Sequence, residues 1–507
     1  MPLHNSTIQH CNRSARDQGM FQVHDVSPIG LAILSSRPIL PARIQAPEAA
    51  MAGTSELSDA PQDAGAGSRP ELHRTIGPVQ MALYGLGSML GSGVYGLMGQ
   101  AAGQVGNAVW LAFLVALVAA LLTALSYASL GSRYPRAGGA AYVAERAYRS
   151  PLIGFVVGLA VACSSLTSVA TQSRVFAANL ATLTGGGETM VTWLALGFLL
   201  LLTGLVLRGI RESMWVNVLC TCIEAAGLLL VVAVGISYWG SVDLFETPPP
   251  GEAVSDVMML LVLQGAVLTF FAFIGFEDTL NVAEECRDPQ RTIPIGLIAA
   301  MAMAAVIYVA VAITAVSVLP WRELAAAPGP LTAVMEKAAP WLPPIVYTAI
   351  TLFAVANTAL VNYVTASRLA YGMSHQGLLP SWLGRVHATR RTPHLAILAL
   401  FLVVAPLAFV GTIGQLAAAT VLLLLLVFTL MNGALVLLKN RQGEPHGRFE
   451  IPAFLPILGS LVCAGLVIVR ITTGDWRAPA LAGGMLAGIL LLYALFRPKA
   501  DRLSPNA

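Results

Sequence analysis

Long apolar stretches follow one another along the chain from about residue 76, and short polar segments separate them. Most of these stretches hold about 20 residues or more, which as an α-helix is enough to cross the roughly 30 Å hydrocarbon core of a bilayer. The pattern therefore predicts an all-α polytopic membrane protein with twelve transmembrane helices. The predicted spans cover residues 76–104, 106–132, 151–182, 190–208, 213–240, 254–286, 293–319, 341–372, 393–413, 415–438, 453–474 and 478–497.

The first 75 residues have a different pattern, with Ser, Pro, Ala, Gly and scattered charges and no sustained hydrophobic period. Such a segment cannot bury enough apolar surface to fold, so residues 1–75 are predicted to be a disordered tail. Met51 opens a more typical soluble tail and is an alternative translation start. At the other end of the chain, residues 498–507 are predicted to be a second, short tail.

Composition supports the membrane prediction and excludes an ordinary soluble domain. Of the 507 residues, 56% are hydrophobic and 11% are charged. In a soluble domain, charged residues make up roughly 25% of the chain. The six cysteines show no metal-ligand spacing, so no metal or other cofactor is expected. The expected partners are the lipid bilayer and a small molecule, not a nucleic acid, and the oligomeric state is not indicated.

Charged residues divide the loops into two sets. Basic residues concentrate in one set, in the segments 133–149, 208–211, 287–291, 385–391 and 439–448. The alternate loops carry acidic residues, namely Glu188, Asp243, Glu246, Glu252 and Asp256. Because basic loops stay in the cytoplasm, both termini are predicted to be cytoplasmic. The segment from Trp321 to Pro340, on the other side, is predicted to be either a short surface helix or an ordinary connecting loop.

Two of the predicted spans are interrupted, one at Gly85–Gly93 and one at Phe271–Asp278. A backbone that leaves helical geometry in hydrocarbon must be buried in protein or line a cavity, because lipid satisfies no hydrogen bond. Close helix packing through small residues is the alternative for the first segment, but the nearly contiguous Gly91-Ser92-Gly93 favours an unwound backbone. A matched pair of breaks, near the start and midway, is typical of the central site of a secondary transporter.

The two breaks offer complementary chemistry. The half-helix that follows the first break begins with free amides, which suit a carboxylate. The half-helix that precedes the second break ends in free carbonyls, which suit an ammonium group. A zwitterionic amino acid carries both groups. Phe270, Phe271, Phe273 and Phe276 supply aromatic faces for cation–π contact or for a gate, with Phe270 and Phe273 as the gating candidates. Core packing is the alternative role for each of them.

Other functional classes lack their sequence signatures. A channel would need a lined pore or a filter repeat, and an intramembrane enzyme would need a catalytic constellation; the spans show neither. A major-facilitator carrier would have a long central loop, whereas spans six and seven are joined by only a few residues. A non-transporting amino acid sensor remains an alternative, although the N-terminal tail does not resemble an ordered signalling domain.

Several short motifs resemble those of the amino acid–polyamine–organocation superfamily, in its bacterial amino acid permease branch near the cationic amino acid transporters. They occur in the family's order between about residues 75 and 440. The motifs are GSGVY at 91–95, YPRAGGAAY at 134–142, FIGF at 273–276, AEE at 283–285, DPQRTIP at 288–294, RLAYGM at 368–373, GLLP at 377–380 and RTP at 391–393.

The resemblance implies a leucine-transporter-type fold, in which spans one to five and six to ten form inverted repeats. Residues 76–440 would then be a ten-helix transport core, and residues 441–497 two additional helices. It also implies that the substrate carboxylate meets the amides of Gly91, Ser92 and Gly93. The amine would meet the carbonyls of three residues of the sixth span, namely Phe271, Ala272 and Ile274.

The implied function is an amino acid or amine permease of the cytoplasmic membrane that works by alternating access. It would be proton-coupled or exchanging and would not be an enzyme. A polyamine- or ethanolamine-type amine permease is the alternative within transport. Sodium coupling is less favoured, since the candidate ligands of the eighth span, such as Asn357, Thr358 and Asn362, commonly satisfy helix backbone instead.

The sequence departs from the family pattern in the fifth span, at the break in the sixth span and in the third span. Glu224 lies where proton-coupled members carry a lysine in the fifth span, and an ionisable residue inside a span is a functional candidate by default. It is predicted either to take part in proton coupling or to form a structural hydrogen bond. Glu277 is predicted to meet the substrate amine or to pair with a neighbouring span, and Asp278 to cap the second half-helix. The third span lacks the acid of cationic-substrate relatives and has Cys163, Ser164 and Ser165 instead, which disfavours arginine and lysine as substrates.

Overall fold

The computed structural model describes residues 76–496 apart from 136–138, 184, 209–213, 250–256, 376, 388–389, 391 and 474. The predicted tails at 1–75 and 498–507 lie outside these residues. The helices are α1 (Pro78–Met89), α2 (Ser92–Val105), α3 (Val109–Arg133), α4 (Gly139–Tyr148), α5 (Pro151–Thr182), α6 (Glu188–Arg208), α7 (Met214–Gly235), α8 (Met258–Thr269), α9 (Pro289–Val318), α10 (Trp321–Ala326), α11 (Pro330–Ala338), α12 (Pro344–His375), α13 (His394–Val410), α14 (Ile413–Lys439), α15 (Phe454–Thr473) and α16 (Arg477–Phe496).

Apolar helices dominate the described part of the chain. Ten of them are long and apolar enough to cross a membrane, and His394–Val410 is a shorter apolar helix. The longest of the ten, Gly93–Arg133, has 41 residues and combines α2 with α3. Within the described residues the only β-pairing is an isolated bridge between Ile76 and Cys286. The predicted all-α, multi-pass membrane architecture is therefore confirmed.

Both predicted interruptions are present in the backbone. The first span is split between α1 and α2, where Leu90 is extended and Gly91 has a φ of 144°. The second consists of α8, a 3₁₀ turn at Phe270–Phe273, an extended Ile274, Gly275 with a φ of 120°, and a 3₁₀ segment at Phe276–Glu285. Such positive φ values are readily adopted only by glycine, so these two residues mark the points where each helix breaks.

The segment after α9 contains two short helices, α10 and α11, so of the two predicted alternatives the helical one is present. α10 packs against α2, where the carbonyl of Leu324 lies close to Gly99. α2 is the second half of the broken first span. The contact with α10 therefore supports this half-helix at the same end of the bundle as the end of α9.

A charged network lies on the opposite side, where α3 and α14 end; we call this side the basic face. Glu450 accepts two hydrogen bonds from Arg133, at 2.6 and 2.8 Å, and one from Lys439 at 2.9 Å. Burial alone would raise the pKa of Glu450, but these hydrogen bonds and that from the Gly447 amide outweigh it and lower the pKa to about 2. The network joins the loop between α14 and α15 to the end of α3.

Glu450→Gln is expected to lower the thermal midpoint of the purified protein at pH 7, because it leaves the Arg133 side chain, 2% exposed, without a counter-charge. Removing one partner of a buried pair costs about 3 kcal/mol. The pKa of Glu450 is depressed from 4.5 to about 2, so its contribution is complete above pH 4.5 and fades as the pH falls toward 2. The midpoint difference between parent and variant should narrow over that window.

The control is Asp288→Asn, which breaks the exposed pair between Asp288 and Arg448 and should change the midpoint little. Equal thermal midpoints for Glu450→Gln and the parent at pH 7 would show that the network does not stabilise the fold.

Candidate functional site

The two breaks touch each other through their backbones. A side-chain carbon on Gly93 would lie 2.8 Å from the Cβ and 2.9 Å from the backbone nitrogen of Ala272. A side-chain carbon on Gly275 would lie 2.6 Å from the carbonyl carbon of Ser88. Atoms this close would overlap, so the approach of the two broken segments depends on glycine at both positions.

The first break presents amide groups. α2 begins at Ser92 with Gly91 as its N-cap, and no side chain caps this end. Tyr95 is the first residue of α2 whose amide bonds back, to the carbonyl of Gly91 at 3.2 Å. A helix start leaves its first amides without intrahelical acceptors and carries partial positive charge. The predicted anion contacts, Gly91, Ser92 and Gly93, therefore lie where an α-helix can bind an anion.

The carbonyls of both breaks receive hydrogen bonds from other helices. The Tyr308 hydroxyl of α9 lies 2.9 Å from the carbonyl oxygen of Met89 and 2.9 Å from that of Ala272. Thr358 of α12 donates to the carbonyl of Leu90 at 2.6 Å. Ala272 was predicted as an acceptor for a substrate amine, so part of its capacity is already used. A carbonyl oxygen has a second lone pair, which remains for another donor.

A small cavity of about 10 Å³ lies between the breaks, which is room for about one water molecule. It brings together three predicted site residues, Gly93, Phe271 and Ile274, with residues of α5 and α12. Its lining is Ser88, Met89, Gly93, Ser168, Gln172, Phe271, Ile274, Thr358 and Asn362. None of these residues is charged.

Two residues of α5, Ser168 and Gln172, were not predicted. Gln172 donates to the Ser168 hydroxyl oxygen at 2.9 Å, and Asn362 of α12 donates to the same oxygen at 3.1 Å. Gln172 is 1% exposed and its side-chain oxygen has no hydrogen-bond partner among the described residues. The available signal was the spacing of Ser164, Ser168 and Gln172, because polar residues four apart in an apolar span share one helix face.

The predicted gating residues Phe270 and Phe273 are fully buried and do not line the cavity. The Phe270 ring lies 6.1 Å from that of Phe428 on α14, and the Phe273 ring lies 5.2 Å from that of Tyr308. The structure therefore places both in packed aromatic contacts. Among the described residues, the aromatic side chain on the cavity wall is Phe271.

Glu277 folds back onto its own break. Its Oε2 accepts a hydrogen bond from the Gly275 amide at 2.9 Å, and it does not line the cavity. The amide of Asp278 donates to the carbonyl of Gly275 at 3.1 Å. The structure thus shows Glu277 bonded within its own break, and not to a neighbouring span as one of the two predictions had it.

Glu224 of α7 is completely buried. Its Oε1 accepts a hydrogen bond from Asn357 of α12 at 2.9 Å, and its Oε2 has no partner within the described residues. Its backbone carbonyl accepts from the Tyr95 hydroxyl of α2 at 2.7 Å. The side chain therefore joins α7 to α12 and leaves one oxygen that could hold a proton. Within the residues described, no group of three His, Cys, Asp or Glu side chains is arranged to hold a metal ion.

Comparison with known proteins identifies the family. The family model described as amino acid permease matches residues 76–492. The methylthioribose transporter of Bacillus subtilis is 28% identical over 414 residues, which cover 78% of this chain and 87% of that protein. The branched-chain amino acid permease BcaP of the same organism is 27% identical over 452 residues, or 85% of this chain and 95% of the relative.

A human relative extends the comparison beyond bacteria. Cationic amino acid transporter 4 of Homo sapiens is 29% identical over 398 residues, or 74% of this chain and 61% of that protein. The match of the family model confirms the predicted resemblance to the amino acid–polyamine–organocation superfamily. On the strength of that match over nearly all of the described residues, the chain belongs to the amino acid permease family.

Proposed function

We propose that this protein is a secondary transporter that carries an amino acid or a related amine across the cytoplasmic membrane by alternating access. The observation that carries the proposal is the contact between the two helix breaks beside a small cavity of mixed polarity. A cavity of about 10 Å³ is far smaller than an amino acid, so the half-helices must separate to admit a substrate. Closure around the solute and reopening are the steps that alternating access requires.

The proposal includes a finer architecture and orientation. Twelve spans would be arranged as two five-helix inverted repeats over residues 76–440 and two further helices over residues 441–497. Residues 1–75 and 498–507 would be tails in the cytoplasm. The concentration of Arg133, Arg146, Lys439 and Arg441 on the basic face supports this orientation, because basic residues favour the cytoplasmic side.

In the proposed complex, the substrate carboxylate binds the amides of Gly91, Ser92 and Gly93. Its amine binds carbonyls of the second break, from Phe271, Ala272 and Ile274, after the half-helices separate. Gly93, Phe271 and Ile274 already line the small cavity between the breaks. Glu277, which bonds the Gly275 amide, would hold the second break in shape, and its carboxylate would contribute negative charge near the amine.

The cavity wall made by α5 and α12 suggests the substrate class. Ser168, Gln172 and Asn362 are neutral and polar, and the Gln172 oxygen has no hydrogen-bond partner in the described part of the chain. A buried acceptor without a hydrogen bond costs about 1–3 kcal/mol, and a side-chain hydroxyl or amide of a bound substrate would supply the donor. The proposed substrate therefore has an uncharged side chain with a hydrogen-bond donor, such as that of serine or threonine.

Gln172→Glu is expected to shift selectivity toward a cationic side chain, because a carboxylate then replaces the neutral oxygen. A hydrogen bond to a charged group contributes about 1.5–3 kcal/mol, so the preference for L-2,4-diaminobutyrate over L-threonine should rise about tenfold or more. Competition against uptake of labelled L-serine measures the ratio. Gln442→Glu, at an exposed residue outside both cavities, is the control, and an unchanged ratio in Gln172→Glu would contradict the assignment of the wall.

Proton coupling or exchange is proposed in preference to sodium coupling. Thr358 donates its hydroxyl to Leu90, and the amide nitrogen of Asn357 donates to Glu224. These hydrogen bonds leave the oxygens of both side chains available, so the preference rests on the buried carboxyl of Glu224. Glu224 is buried, and one of its carboxyl oxygens has no hydrogen-bond partner among the residues that the structure describes; it is the proposed coupling residue.

Uptake by proteoliposomes tests the proposal as a whole. The panel should include labelled amino acids, amines and methylthioribose, each with and without an imposed proton gradient. Saturable uptake of an amino acid or amine is the expected result. Binding of an amino acid without uptake of any compound would favour a non-transporting sensor instead.

A further inference from the structure

A second and larger cavity, of about 490 Å³, lies between the last turns of α2 and the second half of α8. It is distinct from the cavity between the breaks, although both are bordered by the same two half-helices. Its polar lining includes Gln100, Gln104, Gln264, Gln415, Arg470 and Asp475. Amide groups with one cation and one anion give this cavity mixed polarity, and the exposed residues Gln104, Thr412 and Asp475 lie at its opening.

Arg470, near the end of α15, is the cation of this cavity. Among the described residues its buried Nε has no hydrogen-bond partner and its guanidinium has no direct ion pair, although Asp475 interacts with it electrostatically. Arg133 and Arg146, on the basic face, each bind a carboxylate. Because a partly buried charge is costly without a hydrogen-bonded partner, Arg470 is suited to a ligand anion in addition to the more distant Asp475.

Asp475 provides the opposite charge in the same cavity. Its Oδ2 accepts from the Gln415 side chain at 2.8 Å, and its Oδ1 accepts from the Arg477 amide at 3.1 Å. These bonds fix the carboxylate, and each oxygen keeps a lone pair for a further donor. A guanidinium and a fixed carboxylate lining one cavity match the two charges of a zwitterion.

The position of the cavity connects it to the central site. On α2, Gly93 lines the central cavity and Gln100 lines the larger one; seven residues of helix correspond to about 10 Å. On the second broken span, Phe271 lines the central cavity and Leu268, three residues earlier, lines the larger one. The larger cavity therefore begins about two helical turns after the break on α2 and about one turn before the break on α8.

We propose that the larger cavity is a second binding site for a small zwitterionic carboxylate, with the carboxylate on the Arg470 guanidinium and the amine near Asp475. This inference rests on the proposed function, since the ligand is the transported amino acid. The site would hold the solute on the side away from the basic face before it reaches the central site. The glutamine amides would bind the remaining polar atoms of the solute.

Equilibrium binding of radiolabelled L-serine to the purified full-length protein tests the inference. The parent protein is expected to bind at two sites, and Gly93→Val, which blocks the central site, at one. Adding Arg470→Gln to Gly93→Val should weaken that remaining site about tenfold or more, because a hydrogen-bonded charge is lost. Arg470→Lys, which keeps the charge, should retain part of the affinity. Arg477→Gln removes an exposed charge beside the same loop and should have no effect.

Each other result overturns a defined part of the scheme. If Gly93→Val abolishes all L-serine binding, or if its residual binding ignores Arg470→Gln, the second site is wrong and the proposed function stands. If uptake survives Gly93→Val while binding depends on Arg470, the central site is wrong instead. If the parent binds no L-serine, this inference fails, and the uptake panel decides the proposed function separately. Loss of retained phospholipid in Arg470→Gln, with L-serine binding unchanged, would assign the cavity to a lipid headgroup and overturn the inference.

Discussion

Replacing Gly93 with valine is expected to reduce amino acid uptake about a hundredfold. The new Cβ would overlap the Ala272 backbone, where the nearest atoms include the nitrogen at 2.9 Å. A backbone cannot rotate out of the way as a long side chain can, so the two breaks must move apart. Overpacking of this kind costs about 1–3 kcal/mol, and the upper value corresponds to roughly a hundredfold change.

The measurement is the initial rate of uptake in proteoliposomes at matched protein density. Gly204→Val is the control, since Gly204 lies within α6 and a side-chain carbon there would meet nothing within 4 Å. A symmetrical size-exclusion peak for both variants would separate loss of transport from loss of folding. Normal uptake by well-folded Gly93→Val would mean that the contact between the breaks has no role in transport.

Glu224→Gln is expected to abolish accumulation driven by a proton gradient while leaving substrate exchange in place. The glutamine carbonyl can still accept the hydrogen bond from Asn357, so the link between α7 and α12 is kept. The variant cannot take up and release a proton at this position. Separate loss of one transport mode is therefore the signature of coupling, because a purely structural defect would reduce both modes together.

Two assays distinguish these outcomes. Accumulation of labelled substrate under an imposed pH gradient reports coupling, and counterflow between equal substrate concentrations reports exchange. Glu336→Gln, which neutralises an exposed acid on α11, is the control for charge removal. Proton-driven accumulation that persists in Glu224→Gln would reject the coupling role and leave Glu224 as a structural residue.

Local sequence was enough to locate the breaks. Gly91-Ser92-Gly93 and Gly275 are readable because a positive φ in a span requires glycine, and because the flanking apolar stretches are long. The identity of the cavity-lining aromatic was not readable. The residues Phe270–Phe273 form a 3₁₀ turn with about three residues per turn, so which phenylalanine faces the cavity depends on where the preceding α-helix ends.

Contacts between distant segments were beyond the sequence for a different reason. The hydrogen bonds from Tyr308 and Thr358 to the broken segments join residues that are 219 and 268 positions apart. The polar wall of Ser168, Gln172 and Asn362 likewise depends on the rotation of α5 against α12. Spacing along one helix shows which residues share a face, but only packing decides which faces meet.

The position of Tyr308 has a consequence for how the breaks separate. A phenol has a single hydrogen, yet two carbonyl oxygens, those of Met89 and Ala272, lie at the same 2.9 Å from it. If the two broken segments separate as proposed, the hydroxyl can donate to only one of these carbonyl oxygens. The other carbonyl oxygen then needs a new hydrogen-bond donor. An incoming ammonium group is such a donor. In the proposed mechanism, the substrate amine would therefore replace the hydrogen bond that the Tyr308 hydroxyl no longer makes.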